Sequence, residues 1–446
     1  MITPNLGELV GHNLFHSFSR FDLASGEIAS FTGPKNLENI VARVTGNDLS
    51  EIYGIVRVAP PAADLYLLNP AGILFGQGAS LWLSGSFHAS TGDRLEFTGD
   101  ERFEARFDGA TPTLSTALPG EFGFLDNNTA PISVDPSTFL GVRDGATLSL
   151  EGAGAVTVRG SISAQGGDIC VRAGGDIRIE DSTLSVVNPG PGAAGVLDLE
   201  ARGSVEISRS LLEASSTGSG DAGTIELVAR GTAPEDGVSV DNSWVGASAF
   251  GSGAAGTVTV EARRLSVSGV HPIFGAGGVV AESAQGGLAG TITLTVGKLD
   301  LRGGALISTT ALGEGGVGGA ITVHANDAIV VSNVGGGPFN LGDVLERRLL
   351  RPLLRFLRRH RRLHRPRRAA HQDRRWRIRR DGVDGCGRLH HDHHGRSRRR
   401  PRRSDRQQDG RRGDWRLDRH RRAQVRKDCG SAHGRVDQPH PLARAG

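Results

Sequence analysis

Aromatic residues and cysteines are scarce in this sequence of 446 residues. Phe, Trp and Tyr together make up 5% of the chain, too few for a globule built around a large aromatic core. Cys170, Cys386 and Cys429 are the three cysteines, and they cannot form the network of disulfides that holds small secreted domains together. No run of about 20 apolar residues is present, so the sequence predicts no transmembrane helix.

Glycine is abundant, and charge is unevenly divided along the chain. There are 65 glycines, a share well above the usual value of about 7%, which favours short strands and tight turns. Residues 1–340 contain 18 Lys and Arg against 36 Asp and Glu, a net charge of −18. Residues 341–446 contain 34 against 12, a net charge of +22. Regions this different rarely form one folded unit, so we predict a separate tail.

A repeat begins near residue 166, where a Gly-rich turn is followed by alternating residues. The first glycine of each alternating segment is called its anchor here. The anchors are Gly167, Gly195, Gly223, Gly256, Gly290 and Gly319. Successive anchors are 28, 28, 33, 34 and 29 residues apart. The residues two, four and six positions after every anchor are apolar, as in Ile225, Leu227 and Ala229. This period of two predicts strands with one buried face.

Each repeat has room for two more short strands, such as residues 204–208 and 211–216 after Gly195. Three strands per repeat predict one coil of a three-sided parallel β-helix, and glycine suits the corners because it adopts positive φ without strain. An antiparallel sandwich with regular turns is the alternative, but it does not require the same register in every repeat. The predicted fold class is therefore all-β, a parallel β-helix or β-solenoid.

Residues 1–150 contain more aromatic residues, arranged in several distinct blocks. These blocks include Asn13–Phe21, Gly26–Pro34, Asp64–Gly76 and Gly85–Thr91. In this order they resemble the haemagglutination-activity domain that opens filamentous haemagglutinins and other two-partner-secretion exoproteins. The resemblance covers roughly residues 5–130, and residues 150–340 are similar to the repetitive passenger of that family. It implies a right-handed β-helix with capping strands at its N-terminus.

The string Asn69-Pro70-Ala71-Gly72-Ile73 resembles a secretion motif of that family. Asn can bond its own backbone, Pro fixes φ and Gly permits a left-handed turn, so the string predicts a sharp turn between strands. The common form has Asn where Ala71 stands, and the family's Asn-Pro-Asn-Leu motif is absent, the nearest string being Gly33–Leu37. Two roles are open for the motif, shaping the fold or contacting a transporter directly. The candidate site residues are Asn69, Pro70, Gly72 and Ile73.

The resemblance implies export and adhesion as the function. An outer-membrane transporter with periplasmic domains would recognise the N-terminal domain, and the exported chain would bind an unknown receptor on a host or neighbouring cell. The expected location is secreted or on the surface of a Gram-negative-type bacterium. Residues 2–10 contain Pro4, Asn5 and Glu8 in place of an apolar signal-peptide core, so we expect a start upstream of Met1 or a truncated chain.

A polysaccharide-processing enzyme is the main alternative, and the stalk of a toxin-delivering exoprotein is another. Such an enzyme needs acids clustered on adjacent coils. The position three residues after each anchor offers one adjacent pair, Asp198 and Glu226, which we interpret as a solvated face. His12, His16 and His88 have no partnering nucleophile pattern and are expected in packing or surface roles. We predict a protein that is not an enzyme, with no catalytic residue, metal site or cofactor.

The region from about residue 350 onward is rich in Arg and His. As a polycation it would bind nucleic acid without specificity. Within it, a metal cluster could form at His390–His394, and Arg412–Asp414 resembles an integrin-binding tripeptide. We favour a third explanation, that this region is the solenoid gene read out of frame. The reason is that the periodicity is lost near residues 339–350, where the composition changes from acidic to basic. The predicted domains are a two-partner-secretion domain over 1–150, β-solenoid repeats over 151–340 and a disordered basic tail over 341–446.

Overall fold

A computed structural model describes residues 1–332, except for 61, 100, 107–113, 126, 273, 274 and 276. All of these residues belong to one compact unit. The predicted tail lies outside the described residues. No helix in the described part of the chain has the length and apolarity that a membrane span requires.

Parallel strands stack in register to form the three faces of a β-helix, which confirms the predicted fold class. Face 1 carries the strands that follow the anchor glycines and their N-terminal counterparts: β2 (Asn13–Phe18), β4 (Asn39–Val44), β7 (Asp64–Leu68), β10 (Phe87–Ser90), β16 (Leu148–Gly152), β19 (Ile169–Ala173), β22 (Val196–Ala201), β25 (Thr224–Ala229), β28 (Thr257–Ser268), β30 (Thr291–Arg302) and β32 (Ala320–Ser332).

Faces 2 and 3 supply the other two sides of each coil. Face 2 shares a 19-stranded sheet with face 1, because β28, β30 and β32 are long enough to cross both faces; its remaining strands are β5 (Ser50–Ile52), β8 (Ile73–Phe75), β14 (Ile132–Val134), β17 (Val156–Val158), β20 (Ile177–Glu180), β23 (Val205–Ser208) and β26 (Val238–Asp241). Face 3 is a 10-stranded sheet of β3 (Ile28–Phe31), β6 (Ile55–Val58), β9 (Ser80–Trp82), β15 (Phe139–Val142), β18 (Ser161–Ala164), β21 (Thr183–Ser185), β24 (Leu211–Glu213), β27 (Trp244–Gly246), β29 (Gly278–Val280) and β31 (Leu306–Ser308).

The register predicted from the anchors is the register of the fold. The residues two positions after the anchors pair from coil to coil in one column: Ile169, Leu197, Ile225, Val258, Ile292 and Ile321. In the first five of these coils they are fully buried in the central core. Each such side chain contributes about 1.5–3 kcal/mol through burial. In β32 the pattern holds but the burial does not, because no described strand lies beyond it, and Ile321 is 44% exposed.

The anchor positions require glycine for a different physical reason from the one predicted. None of them has a positive φ. Each is required because successive coils approach closely at this point, so that a β-carbon on one anchor would overlap with a backbone carbonyl oxygen of the coil before it. At Gly223 that oxygen belongs to Gly195, and at Gly256 it belongs to Gly223. The anchors therefore set the distance between coils and not the turn angle.

Extra strands cover the N-terminal coils. A single turn of 3-10 helix, Pro4–Leu6, leads into β1 (Glu8–Val10), which pairs antiparallel with β2. The chain between β10 and β14 forms an antiparallel sheet of β11 (Arg94–Phe97), β12 (Arg102–Glu104) and β13 (Pro119–Gly123). This sheet, called the outer sheet here, buries a second apolar cluster against the outward side of face 1. The predicted N-terminal capping strands are thus present.

Candidate functional site

The candidate motif forms a tight turn between β7 and β8, held by the side chain of Asn69. Its Oδ1 accepts a hydrogen bond from the backbone N–H of Ala71 at 2.9 Å. Its Nδ2 donates to the carbonyl oxygen of Asp48 at 3.0 Å and to Oγ of Ser50 at 2.9 Å, both in the preceding coil. One asparagine therefore fixes its own turn and also ties two coils together.

The glycine of this turn adopts a conformation that other residues rarely reach. Gly72 has a φ of +124°, and a β-carbon there would lie 2.6 Å from Cδ1 of Leu49. Its carbonyl oxygen accepts from the N–H of Ser50 at 3.1 Å, and the N–H of Ile73 donates to the carbonyl oxygen of Pro131 at 3.1 Å. The turn is thus bonded to the coils on both of its sides.

The motif faces inward. Asn69 and Ile73 are 0% exposed, Pro70 and Gly72 are buried, and Ala71 is partly exposed. The structure brings the four predicted site residues together, but it leaves little of their side chains for a partner to contact. Their arrangement suits the first of the two predicted roles, shaping of the fold.

The outer sheet is fastened next to this turn by Asp93, whose side chain is buried. One carboxylate oxygen pairs with Arg106, and the other accepts from the backbone N–H of Leu125 at 2.8 Å and from Nδ2 of Asn128 at 2.9 Å. Arg43 of β4 lies over the ring of Phe103 at 4.5 Å and donates to the carbonyl oxygen of Glu104. Charged groups therefore hold the outer sheet to the first coils in addition to its apolar contacts.

The acid pair lies side by side on face 1, as the register predicts. Asp198 is buried and forms an ion pair with Arg172 at 3.2 Å, so the expectation of a solvated face is wrong for this residue. Burial raises the pKa of Asp198 to about 6, and repulsion from Glu226 and Glu200 acts in the same direction. The attraction of Arg172 lowers this pKa but is outweighed by burial. The repulsion arises because a parallel register places identical positions of neighbouring coils only about 4.8 Å apart.

The N-terminal histidines fill the packing and surface roles expected of them. His12 is exposed, and its Nδ1 lies 2.9 Å from the carbonyl oxygen of Asn36. His88 stacks on Tyr66 with a 4.5 Å ring separation, and its Nδ1 lies 2.9 Å from Oγ of Ser149, which is itself buried. His16 is buried in the core of the first coil. Within the described ranges, no three His, Cys, Asp or Glu side chains converge where a metal ion could bind.

Comparison with known proteins identifies the family. Residues 6–227 match the family model of the TPS secretion domain. The chain belongs to the two-partner-secretion exoprotein family. The structure is also similar to the crystal structure of the HMW1 secretion domain from Haemophilus influenzae, with a TM-score of 0.47 and 17% sequence identity, over 74% of this chain and 96% of that chain. A search of curated proteins finds no match.

The TPS domain of such an exoprotein directs its export through a partner outer-membrane transporter. The family match extends to residue 227, beyond the boundary at 150 that the sequence predicts. Face 1 passes through residue 150 without interruption, since β16 pairs with β10 on one side and with β19 on the other. The boundary between TPS domain and repeats stays a prediction.

Sequence reasoning missed a second asparagine of the TPS domain with the same role. Asn128 lies four residues before Ile132, as Asn69 lies four before Ile73, and the two isoleucines pair across adjacent coils. Its Oδ1 accepts from the N–H of Ala130 at 3.0 Å and its Nδ2 donates to the carbonyl oxygen of Thr91 at 2.7 Å. The spacing from Asn to an apolar strand residue is the signal that could have found it.

The string Gly33–Leu37, nearest to the absent family motif, also forms a turn in the TPS domain. It joins β3 to β4, with the N–H of Leu37 donating to the carbonyl oxygen of Pro34 at 3.2 Å. Leu37 is buried, and a β-carbon at Gly33 would lie 2.8 Å from its Cδ2. The departure from the family's motif therefore still leaves a closed turn at this place.

Proposed function

We propose that this exoprotein is an adhesin and not an enzyme. Its TPS domain serves export, and its repeats present a regular surface to an unidentified receptor on a host or neighbouring cell. The supporting observation is the stacking of face 1 strands from the TPS domain into the repeats, which continues to β32 with one register shift between Val296 and Lys298. A repetitive scaffold of this kind gives an extended surface for binding. Specific recognition of nucleic acid is not part of the proposal.

A cell-binding assay tests the adhesin role. The full chain, produced together with a partner transporter, is expected to appear on the cell surface or in the medium and to attach to epithelial cells or to bacteria of its own kind. The matched control is cells that produce the transporter alone. Export without attachment to either cell type would overturn the adhesin role and leave the secretion function intact.

We propose further that Asn69, Pro70, Gly72 and Ile73 act in export by holding the turn that the transporter meets. The support is geometric, because every polar side-chain atom of Asn69 is bonded within the chain. The transporter's periplasmic domains would then contact the surface that the turn organises and not the buried amide.

Two matched asparagine variants test this role. Asn69→Ala is expected to lower the secreted amount and also to lower the free energy of unfolding of the purified protein by about 1–3 kcal/mol, because buried partners lose their bonds. Asn188→Ala is the control, since Asn188 forms a similar turn in the repeats by accepting from the N–H of Gly190 at 2.8 Å. An Asn69→Ala protein that is fully stable yet not exported would show direct recognition instead.

A polysaccharide-processing activity is the second candidate, and the raised pKa of Asp198 is the observation that favours it. Perturbed carboxyl groups are common in active sites, although ion-pair networks cause them as well. The purified chain is expected to release no new sugar ends from acidic polysaccharides. Release that Asp198→Asn abolishes would establish the enzyme, whereas release that survives this variant would point to a contaminant.

A further inference from the structure

The first coil of the β-helix is closed by the residues that precede it. We name Ile2–Val10 the N-terminal cap. Ile2 pairs with Phe31 of β3 and packs against the central core, the turn Pro4–Leu6 follows, and β1 then returns along β2. The N–H of Ile2 donates to the carbonyl oxygen of Ser30 at 2.8 Å. The cap therefore separates the apolar interior of the first coil from water.

A histidine lies directly beneath this cap. His16 is 1% exposed, and its ring centroid lies 5.9 Å from that of Phe18 and 5.6 Å from that of Phe31. Its Nδ1 lies 3.4 Å from the carbonyl oxygen of Leu6, and its Nε2 has no hydrogen-bond partner among the described residues. A β-carbon on Gly7 would lie 2.7 Å from Nδ1, so the cap backbone rests on the ring.

No described carboxylate neutralises this ring if it gains a proton. The titratable side chains on the elements packed around it are Glu8 of β1 and Arg43 of β4. Glu8 is exposed and lies opposite Phe15, while Arg43 bonds to Ser17 and Glu104 on the outward side. Burial therefore dominates, and it lowers the pKa of His16 below the usual 6.5.

We propose that His16 makes the N-terminal cap a proton-sensitive lid on the β-helix. The neutral imidazole fits the aromatic pocket under the closed cap. An imidazolium there would bury a charge with a single long contact to a carbonyl oxygen, which is unfavourable. Since the open state binds a proton near pH 6.5 and the closed state binds it only at lower pH, acid shifts the population toward the open cap. This inference goes beyond export and adhesion.

Hydrogen–deuterium exchange of the full chain, read by mass spectrometry, tests the lid. Peptides covering residues 2–18 are expected to be protected at pH 7.5. Their protection, corrected for the pH dependence of intrinsic exchange, should fall by up to about tenfold per pH unit between pH 6.5 and the lower pKa of the closed state. Peptides from β22 and β25 serve as the internal reference and should not change in the same way.

Histidine variants distinguish His16 from a general effect of acid. His16→Phe is expected to keep the cap closed at pH 5, whereas His12→Gln, which changes the exposed histidine four residues earlier, should leave the acid response intact. If His16→Phe does not fold, His16→Gln provides a second neutral side chain. The proposal is overturned by equal cap protection at pH 7.5 and 5.0, or by an acid response that persists without His16.

Exchange at the C2 position of each histidine gives a direct check in the unmodified protein. His16 is expected to exchange slowly and to titrate below the usual imidazole pKa of 6.5. A titration of His16 at or above 6.5 would contradict a buried neutral ring.

Discussion

The N-terminal coils and the repeats use the same backbone geometry but are specified in different ways. In the N-terminal coils, individual side chains determine the structure. Asn69 and Asn128 hold turns, Asp93 fastens the outer sheet and His16 fills the end of the core. In the repeats, the same positions recur and glycines set the spacing. The first region depends on particular residues, and the second depends on repetition.

The two regions also differ in how they respond to protons. Burial lowers the pKa of His16 under the cap, whereas in the repeats burial raises the pKa of Glu213 to about 8. Burial likewise raises the pKa of Glu282 to about 7, against the opposing hydrogen bond from Ser308. Acid therefore weakens the first coil and strengthens the packing around Glu213 and Glu282, while His271 of the repeats, whose pKa burial lowers to about 4, responds to acid in the same direction as His16.

The largest effect is expected from changing an anchor glycine. In Gly223→Ala the added β-carbon overlaps with the carbonyl oxygen of Gly195, which belongs to the backbone and cannot rotate away. We expect a loss of about 5 kcal/mol or separation of the coils on either side, measured by chemical unfolding and by hydrogen exchange of β22 and β25. Gly318→Ala, where a β-carbon meets open space, is the control. Equal stability of the two variants would contradict the spacing role of the anchors.

Removing an aromatic side chain from the outer sheet should affect the N-terminal coils alone. Phe103 is buried against Phe15, with ring centroids 5.1 Å apart. Phe103→Ala is expected to cost about 3–5 kcal/mol of local stability and to make β11, β12 and β13 sensitive to protease, while the repeats stay resistant. Trp82→Ala, at an exposed aromatic on face 3, serves for comparison. Loss of protection in the repeats as well would show that the two regions unfold together.

A buried acid in the repeats should impose a pH dependence of opposite sign to that of His16. Glu213 keeps its proton up to about pH 8 in the folded state and loses it near pH 4.5 when unfolded, so stability is complete below pH 4.5 and falls as pH rises. The slope is at most about 1.4 kcal/mol per pH unit. Glu213→Gln should remove this slope, as seen in urea unfolding at pH 5 and pH 8.

The control for that variant is Glu206→Gln in neighbouring β23, where the carboxylate is half-exposed and paired with Arg178 at 3.1 Å. Its pH profile should follow the unchanged protein. A wild-type stability that does not fall between pH 5 and pH 8 would exclude a buried, protonated Glu213.

The smallest effect is expected from a ladder of buried serines at the corner between faces 2 and 3. Oγ of Ser210 accepts from the N–H of Ser182 at 3.1 Å and donates to the carbonyl oxygen of Ser208 at 2.7 Å. Ser210→Ala should cost about 1 kcal/mol, detectable as a small shift of the urea midpoint. A cost above that of Phe103→Ala would mean that individual side chains specify the repeats as strongly as they specify the N-terminal coils.

The repeats could be predicted from the sequence because their signal is periodic. Alternation after Gly195 or Gly223 identifies the buried positions, and the common register then dictates which residues pair. The reason for the glycines could not be derived from the sequence. A glycine required by the close approach of two backbones looks the same there as a glycine required by a positive φ. Burial of Asp198 was missed for a similar cause, as its partner Arg172 lies a whole coil away.

Less of the candidate site could be predicted. The string from Asn69 to Ile73 indicates a turn, but the sequence does not reveal that Asn69 also reaches Asp48 and Ser50. The resemblance implies capping strands, but the sequence does not reveal where they pack, because β11, β12 and β13 lie against β2, β4 and β7, which begin 81, 55 and 30 residues before β11. Such contacts are set by tertiary packing and not by local patterns.

The direction of the hydrogen bonds between coils has a mechanical consequence. They run along the axis on which the coils stack, so a pull on the two ends loads them in series, and the coils would detach in succession. With 28 to 34 residues between anchors, a coil that occupies about 4.8 Å of the stack would release roughly 100 Å of extended chain. Under the proposed adhesin role, the tension on an attached cell would therefore fall in steps as successive coils detach.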